Sequence, residues 1–292
     1  MTEQSQTLPT LSRIRLAPNG PVFDLPILVA LEHGLFAREG LDVQFVEHYD
    51  PSISSAQVFE RQKESLFEQG KADAYNLCEW AGLDRSEHSQ RGSKVQALRP
   101  AVAAQAILSF DRALQEPRDL AGVPVGVNNR TGSHYTALQL LGGALAKEEV
   151  NLVHAGSPLG RYEALKSGQL RAAALMEPYI SLALKEGAHI IAVNFYRGAE
   201  VISPDLSEAA RQAYLRVLNE AADLITADFS KYKHYIVAPV KEWLSADELH
   251  NHFVHYAHAK PLEAERFDGT YAFMRNWSLT AGAHTYKDLV AQ

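Results

Sequence analysis

Three short stretches of the chain carry side chains able to do acid–base, nucleophilic or anion-binding chemistry. In Asn128-Asn-Arg-Thr-Gly-Ser-His-Tyr135 a strand is expected to give way to a helix, whose start presents free N–H groups and the positive end of its dipole. That end favours a carboxylate, sulfonate or phosphate, with Thr131, Gly132, Ser133, His134 and Tyr135 placed to touch it. Capping of the helix by Thr131 or Ser133 accounts for the same residues. In Cys78-Glu79-Trp80 a thiol, a carboxylate and an aromatic plate stand together, with Asp84 and Arg85 soon after. Trp80 would stack on a planar ligand, and Glu79 and His134 would supply acid–base function. Cys78 becomes a nucleophile only beside a base or with a depressed pKa; otherwise it is a buried, inert thiol and Trp80 packs a hinge.

The third stretch runs from Ala155 to Tyr179. Arg161 follows a glycine-rich loop and precedes a helix, where its fork suits a carboxylate or stays in solvent. Glu177-Pro178-Tyr179 closes the next strand. His48, Tyr49 and Asp50 end an earlier strand and either face a ligand or form a polar exit loop. His250, His252, His255 and His258 offer imidazoles, but on the single helix expected there only His255 and His258 share a face. No carboxylate completes a metal motif, and no Walker, dinucleotide or zinc-protease signature is present, so neither metal nor cofactor is expected.

The elements that must position these residues alternate. Pro26–Gly34 reads as a helix, Gly40–Glu47 as a strand, Arg61–Gln69 as a helix, and Ala72–Leu77 as a buried strand leading into Cys78. Val95–Arg99 and Ala103–Phe110 read as two strands. Val123–Val127, Val150–His154, Arg171–Met176 and His189–Phe195 follow as strands separated by helices, a rhythm that argues a mostly parallel sheet. After Pro204 the reading is helical: Ser207–Phe229, Ser245–Ala259 and Tyr271–Ala281. Gly70–Trp80 and Gly168–Pro178 echo each other, each placing a glutamate, Glu79 or Glu177, at a strand's carboxyl end. Ligands of open parallel sheets bind beyond those ends.

With 292 residues, 46% hydrophobic and 22% charged, the chain is long enough for two lobes with real cores and too apolar for long disorder. A net charge of -7 with scattered basic residues excludes the footprint of a nucleic-acid binder. No run approaches the roughly 20 apolar residues that cross a bilayer. The polar start without a signal-like apolar run, and Cys78 as the single cysteine, set the expectation of a cytoplasmic protein without disulfides.

Pro18-Asn-Gly-Pro-Val-Phe-Asp-Leu-Pro-Ile-Leu-Val-Ala-Leu-Glu-His-Gly-Leu-Phe resembles the opening of the family of sulfonate, nitrate and thiamine-pyrimidine binding proteins, and Asn19 within it is a ligand-contact candidate. Arg118-Asp-Leu-Ala-Gly-Val-Pro-Val-Gly-Val, Tyr162-Glu-Ala-Leu-Lys-Ser-Gly-Gln-Leu-Arg and Met176-Glu-Pro-Tyr look like the same family's second-lobe landmarks, and Glu177 there borders the cleft or hinge. The resemblance covers about the first two-thirds of the chain. It implies an α/β fold, a two-lobed type II periplasmic-binding-protein-like clamp, with residues 1–100 and 199–292 in lobe 1, residues 101–198 in lobe 2, and the ligand cleft between them.

Many members of that family are solute-binding components of importers, and some are cytosolic enzymes, including an aromatic sulfinate desulfinase. Gly20 stands where that desulfinase has its catalytic cysteine, so its mechanism does not transfer. The leading expectation is a cytosolic enzyme that cleaves a small anionic, aromatic or heterocyclic molecule by lyase or hydrolase chemistry. The alternatives are a substrate-binding component of an ABC importer, with a permease as partner, and a ligand sensor. A homodimer stays open.

Overall fold

The structure is a computed structural model and describes residues 12–47, 49–50 and 55–291. His48 lies outside them. The first half of the chain holds β1 (Ser12–Ala17), α1 (Pro21–Glu32), α2 (Leu35–Arg38), β2 (Leu41–Phe45), α3 (Gln62–Glu68), β3 (Ala74–Cys78), α4 (Glu79–His88) and β4 (Lys94–Ser109). Next come β5 (Val125–Val127), α5 (Gly132–Gly142), β6 (Leu152–His154), α6 (Pro158–Lys166), β7 (Ala172–Leu175), α7 (Tyr179–Lys185) and β8 (His189–Ile202). The chain closes with α8 (Glu208–Ala227), α9 (Phe229–Val237), β9 (Val254–Tyr256), α10 (Ala264–Asn276) and α11 (Tyr286–Leu289).

One hydrogen-bonded sheet runs in the order β2-β1-β3-β8-β4-β7-β5-β6, with β9 beside β4. Parallel pairing holds within each half: β2, β1 and β3 on one side, β6, β5 and β7 on the other. The junction departs from the mostly parallel sheet expected. The chain passes once from the first half to the second along β4 and returns along β8, so the two crossing strands oppose each other in direction and pair antiparallel. A large buried cluster joins β1, α1, β3 and α8 to parts of the second half, and a smaller one around Ile107, Val125, Leu141 and Ile191 lies in the second half alone.

The crossing is irregular. Where the sequence suggests two strands, β4 is continuous, but its pairing with β8 slips between Leu98 and Val102, opposite Ala199 and Arg197. Pro100 has no N–H to give to the ladder, which explains a slip at this place. The carbonyl of Arg99 at the slip is taken by Arg197, whose Nε and Nη2 donate to it at 2.9 and 2.6 Å. β9 then adds at Ala101–Ala103.

β9 corrects the reading of Ser245–Ala259 as a helix. That span holds 3-10 turns at Ala246–Glu248 and Asn251–Phe253, followed by the strand. Val254 and Tyr256 are buried and His255 is exposed, a two-residue alternation set by pairing with a distant strand. The four histidines therefore share no helix, and His258 instead meets Asp223. Among the described residues no group of three or more His, Cys, Asp or Glu is arranged to hold a metal.

α1 starts at Pro21, earlier than expected, and continues through Pro26. Pro26 cannot donate to the carbonyl of Val22, and the Tyr256 hydroxyl takes that acceptor at 2.8 Å. Beside it, fully buried Arg99 lies 3.1 Å from Glu200 and 3.8 Å from Asp24, while Tyr214 donates to Glu200. Burial pushes Glu200 up to about 7. Arg99→Met would leave two buried carboxylates facing each other. It is expected to cost about 3–5 kcal/mol in denaturant unfolding, a loss expected when one partner of a buried pair is removed.

Candidate functional site

The turn between β5 and α5 is built from its own side chains. Ser133 Oγ accepts the Asn128 N–H at 2.9 Å, and Thr131 Oγ1 donates to the Asn128 carbonyl at 2.7 Å. Arg130 sits in the left-handed region at φ 51°. Its N–H donates to His134 Nδ1 at 2.9 Å, and the Asn129 N–H donates to His154 Nδ1 at 3.3 Å. With both Nδ1 atoms acting as acceptors, each neutral imidazole carries its proton on Nε2. Burial, with Arg130 and Arg61 nearby, lowers His134 to about 4, so it is a neutral donor at physiological pH. Among the described residues, no acceptor meets the backbone N–H groups of Thr131, Gly132 or Ser133.

One cation bonds to this turn and two more lie on neighbouring elements. Buried Arg61 donates to the carbonyls of Ser55 and Asn129 at 2.9 and 2.5 Å, so a residue just ahead of α3 holds the second half's turn. Lys63 donates to the Asn76 carbonyl at 3.1 Å. Arg161, only 2% exposed, donates to Ala174 and Gly156 carbonyls at 2.7 Å each. Burial lowers Arg161 to about 10, with only Tyr196 and Tyr179 opposing that shift. Among the described residues, none of these three cations makes an ion pair. His154 feels both Arg61 and Arg161, which lower its pKa further after burial, so the positive groups share one region.

The neighbouring carboxylates are committed elsewhere. Glu64 and Asp84 both meet Arg85, at 3.2 and 2.6 Å, and Asp84 also meets Arg130 at 2.6 Å. Arg85 donates to the Arg130 carbonyl. Asp24 accepts from the Asn19 N–H and from Asn76 Nδ2. Tyr196 supplies the floor: it packs on Trp80 and Phe23, and its hydroxyl lies where a Cβ on Gly132 would come within 2.4 Å. Gly20 of the first half lies close to the Met176 side chain of the second.

Residues expected from the sequence divide between this region and other roles. Thr131, Gly132, Ser133, His134 and Arg161 are in it, although Thr131 and Ser133 spend their hydroxyls on the turn. Tyr135 is fully buried and stacks on Trp80 at 5.7 Å. The Asn19 amide serves Asn76 and Gly20. Cys78 is buried and its thiol is pushed up to about 12, which removes the physical basis for a nucleophile. Glu79 is no free base: Arg266 Nε meets it at 3.0 Å and the Thr270 hydroxyl at 2.7 Å. Glu79 and Trp80 instead edge a 310 Å³ hollow with Phe195, Arg266 and Phe273, on which Tyr196 also borders. Glu177 accepts the N–H and hydroxyl of Ser181, so it holds the start of α7.

Arg61, Lys63, His154 and Tyr196 were not expected. His154 ends a parallel strand, so the strand-end rule that singled out Glu79 and Glu177 would have found it. Arg61 and Lys63 lie in an ordinary charged helix start, and Tyr196 lies mid-strand; none carries a sequence signal.

No family model matches the chain, and no curated protein matches it. Solved structures do. The alkanesulfonate-binding protein SsuA from Xanthomonas axonopodis pv. citri, bound to MOPS, superposes with a TM-score of 0.70 at 18% identity, covering 97% of both chains. The fold is that of the two-lobed periplasmic binding proteins. The ligand-binding component of an ABC-type import system from Staphylococcus aureus, with zinc bound, gives 0.73 at 13% identity over 96% of both chains. The desulfurization enzyme DszB gives 0.58 at 15% identity over 92% of this chain and 93% of that one. At such identities the likeness concerns the fold, which serves both binding proteins and an enzyme.

Two measurements probe the local architecture of this periplasmic-binding-protein fold. Gly132→Ala drives a methyl into the packed Tyr196 ring and is expected to cost about 1–3 kcal/mol in thermal or denaturant unfolding. Burial raises Glu177 from 4.5 to about 7, so the folded state keeps a proton that the unfolded chain releases. Stability from this group is present at low pH and is lost as pH rises through about 7. Glu177→Gln should therefore raise stability by roughly 2 kcal/mol more at about pH 8 than at about pH 5, read by denaturant unfolding.

Proposed function

We propose that the chain binds a small anionic solute between the two halves of its sheet, and that binding rather than bond cleavage is its function. The observation that carries this reading is Arg161, a guanidinium 2% exposed whose described bonds go to two carbonyls and to no carboxylate. A buried cation without a counter-charge is costly, and an anion entering the cleft would offset that cost. The unbonded N–H groups at the start of α5 and the Nε2–H of His134 add donors of the right kind. The sulfonate-binding and import-component structures of the same fold support the reading.

Under this proposal the halves are lobes of residues 1–100 with 199–292 and of 101–198, and the slip at Leu98–Val102 is the hinge between them. Lyase or hydrolase chemistry has less support, because Cys78 is a buried thiol, Glu79 is paired with Arg266 and His134 is a weak base. A cytoplasmic location belongs with the catalytic reading. A solute-binding component would act outside the cytoplasmic membrane beside a permease, and fractionation of cells expressing the complete gene distinguishes the two.

A melting screen with sulfonates, phosphonates and carboxylates tests the site, since a ligand at 100 times its Kd stabilises by about 2.7 kcal/mol. A hit is expected, and Arg161→Met is expected to weaken it at least about tenfold in calorimetric titration, the loss of one charge-assisted contact, with the unfolding transition retained. Absence of any anion-dependent shift would overturn the reading, as would conversion of the bound compound to product.

A further inference from the structure

The charges around the cleft do not cancel, and their balance points to the charge of the ligand. Arg61, ahead of α3, Lys63, on α3, and Arg161, on α6, make no ion pair among the described residues. The carboxylates whose charges Arg61 and Lys63 feel, Glu64, Asp84 and Asp24, have cationic partners of their own. Glu64 of α3 and Asp84 of α4 are offset by Arg85 of α4 and Arg130 of the turn. Asp24 of α1 and Glu200 of β8 share Arg99 of β4, which leaves one negative charge over when both are ionised. His134 and His154 are held neutral by burial and by the same guanidinium groups. Tyr49, Tyr179 and Tyr196 are pushed up by burial and stay uncharged. Three cations against the one carboxylate charge left over give the groups named here a surplus of two positive charges.

The hydrogen-bonding groups have one sense as well. Thr131, Gly132 and Ser133 present backbone N–H groups, and His134 and His154 present Nε2–H. Arg61, Lys63 and Arg161 can only donate. A ligand head with protons of its own would set donor against donor. A head made of several fully ionised oxygens would not.

Resting on the anion-binding reading above, we propose that the cleft selects a tetrahedral dianion, a phosphonate or phosphate monoester head group, over a singly charged sulfonate of the same shape. The two differ by one charge at nearly equal volume, so the preference is electrostatic. It follows the ligand's second ionisation: above it the phosphonate carries two charges and no proton, below it one charge and one donor. The sulfonate carries one charge throughout, so its own affinity reports any titration of the protein.

The test is calorimetric titration of the wild-type chain with methylphosphonate against methanesulfonate, and phenylphosphonate against benzenesulfonate, at a pH above and a pH below the phosphonates' second ionisation. Malonate is added as a dianion whose charge is divided between two planar groups. The expected result is that each phosphonate binds at least about tenfold more tightly than its sulfonate partner above that ionisation, and loses most of the advantage below it. Phosphonate should also exceed malonate. Lys63→Met, checked for an unchanged unfolding transition, should narrow the phosphonate-to-sulfonate ratio while sulfonate still binds. Equal or tighter sulfonate binding, a ratio unaffected by pH, or tighter malonate binding would each overturn the dianion assignment and leave the anion site standing. Failure of every anion to bind would overturn the anion site itself.

Discussion

Both passages of the chain between the halves of the sheet are made by β4 and β8, and the antiparallel ladder between them is the constraint on which the rest depends. The ladder keeps the two sets of parallel strands in one hydrogen-bonded surface, so the turns after β3, β5 and β7 are held near one another. Pro100 interrupts it, and the slip turns Arg99 inward and frees a carbonyl that Arg197 takes. Arg99 is then shared by Asp24 and Glu200, and Asp24 in turn fixes Asn19 and Asn76 on the first half's edge. A backbone irregularity at the crossing is thus tied, through one buried guanidinium, to the placement of the residues at the first half's edge.

The cleft divides its arginines into two populations. Arg85, Arg99 and Arg130 meet carboxylates and tie neighbouring elements together. Among the described residues, Arg61 and Arg161 meet only carbonyl oxygens, which orient a guanidinium without cancelling its charge. Orienting a buried cation by dipoles preserves its attraction for an anion, and the desolvated surroundings strengthen that attraction. The same logic explains why Glu79 is a poor candidate for proton transfer: paired with Arg266 and Thr270, it ties α10 to α4.

Much of the architecture was legible in the residues. Strong apolar runs and glycine stops located most of the alternating strands and helices, and the opening and second-lobe stretches carried the likeness to solute-binding proteins that the superposition with SsuA bears out as fold. The turn around Thr131–His134 was also legible as a strand passing into a helix, because its short polar stretch separates two apolar runs. Legibility failed where partners are distant. Ser245–Ala259 has helix-like composition, yet Val254–Tyr256 became a strand because the gap beside Ala101–Ala103 offered a ladder. Val95–Arg99 and Ala103–Phe110 looked like two strands because Arg99-Pro100 interrupts the apolar pattern, and pairing with β8 carried one strand through it.

The sequence by itself determined the fold class, the positions of the main elements and the strand-to-helix turn at Thr131–His134, because these follow from local periodicity, helix-end chemistry and a recognisable opening. Only the tertiary structure decided which charged groups are spent and which remain. Glu79 and Arg161 look alike in sequence, each a charged residue at the mouth of a predicted element. Folding brings Arg266 to the first and only carbonyl oxygens to the second. The outcome depends on residues nearly 190 positions away for Glu79 and 13 away for Arg161, and no local pattern records those distances.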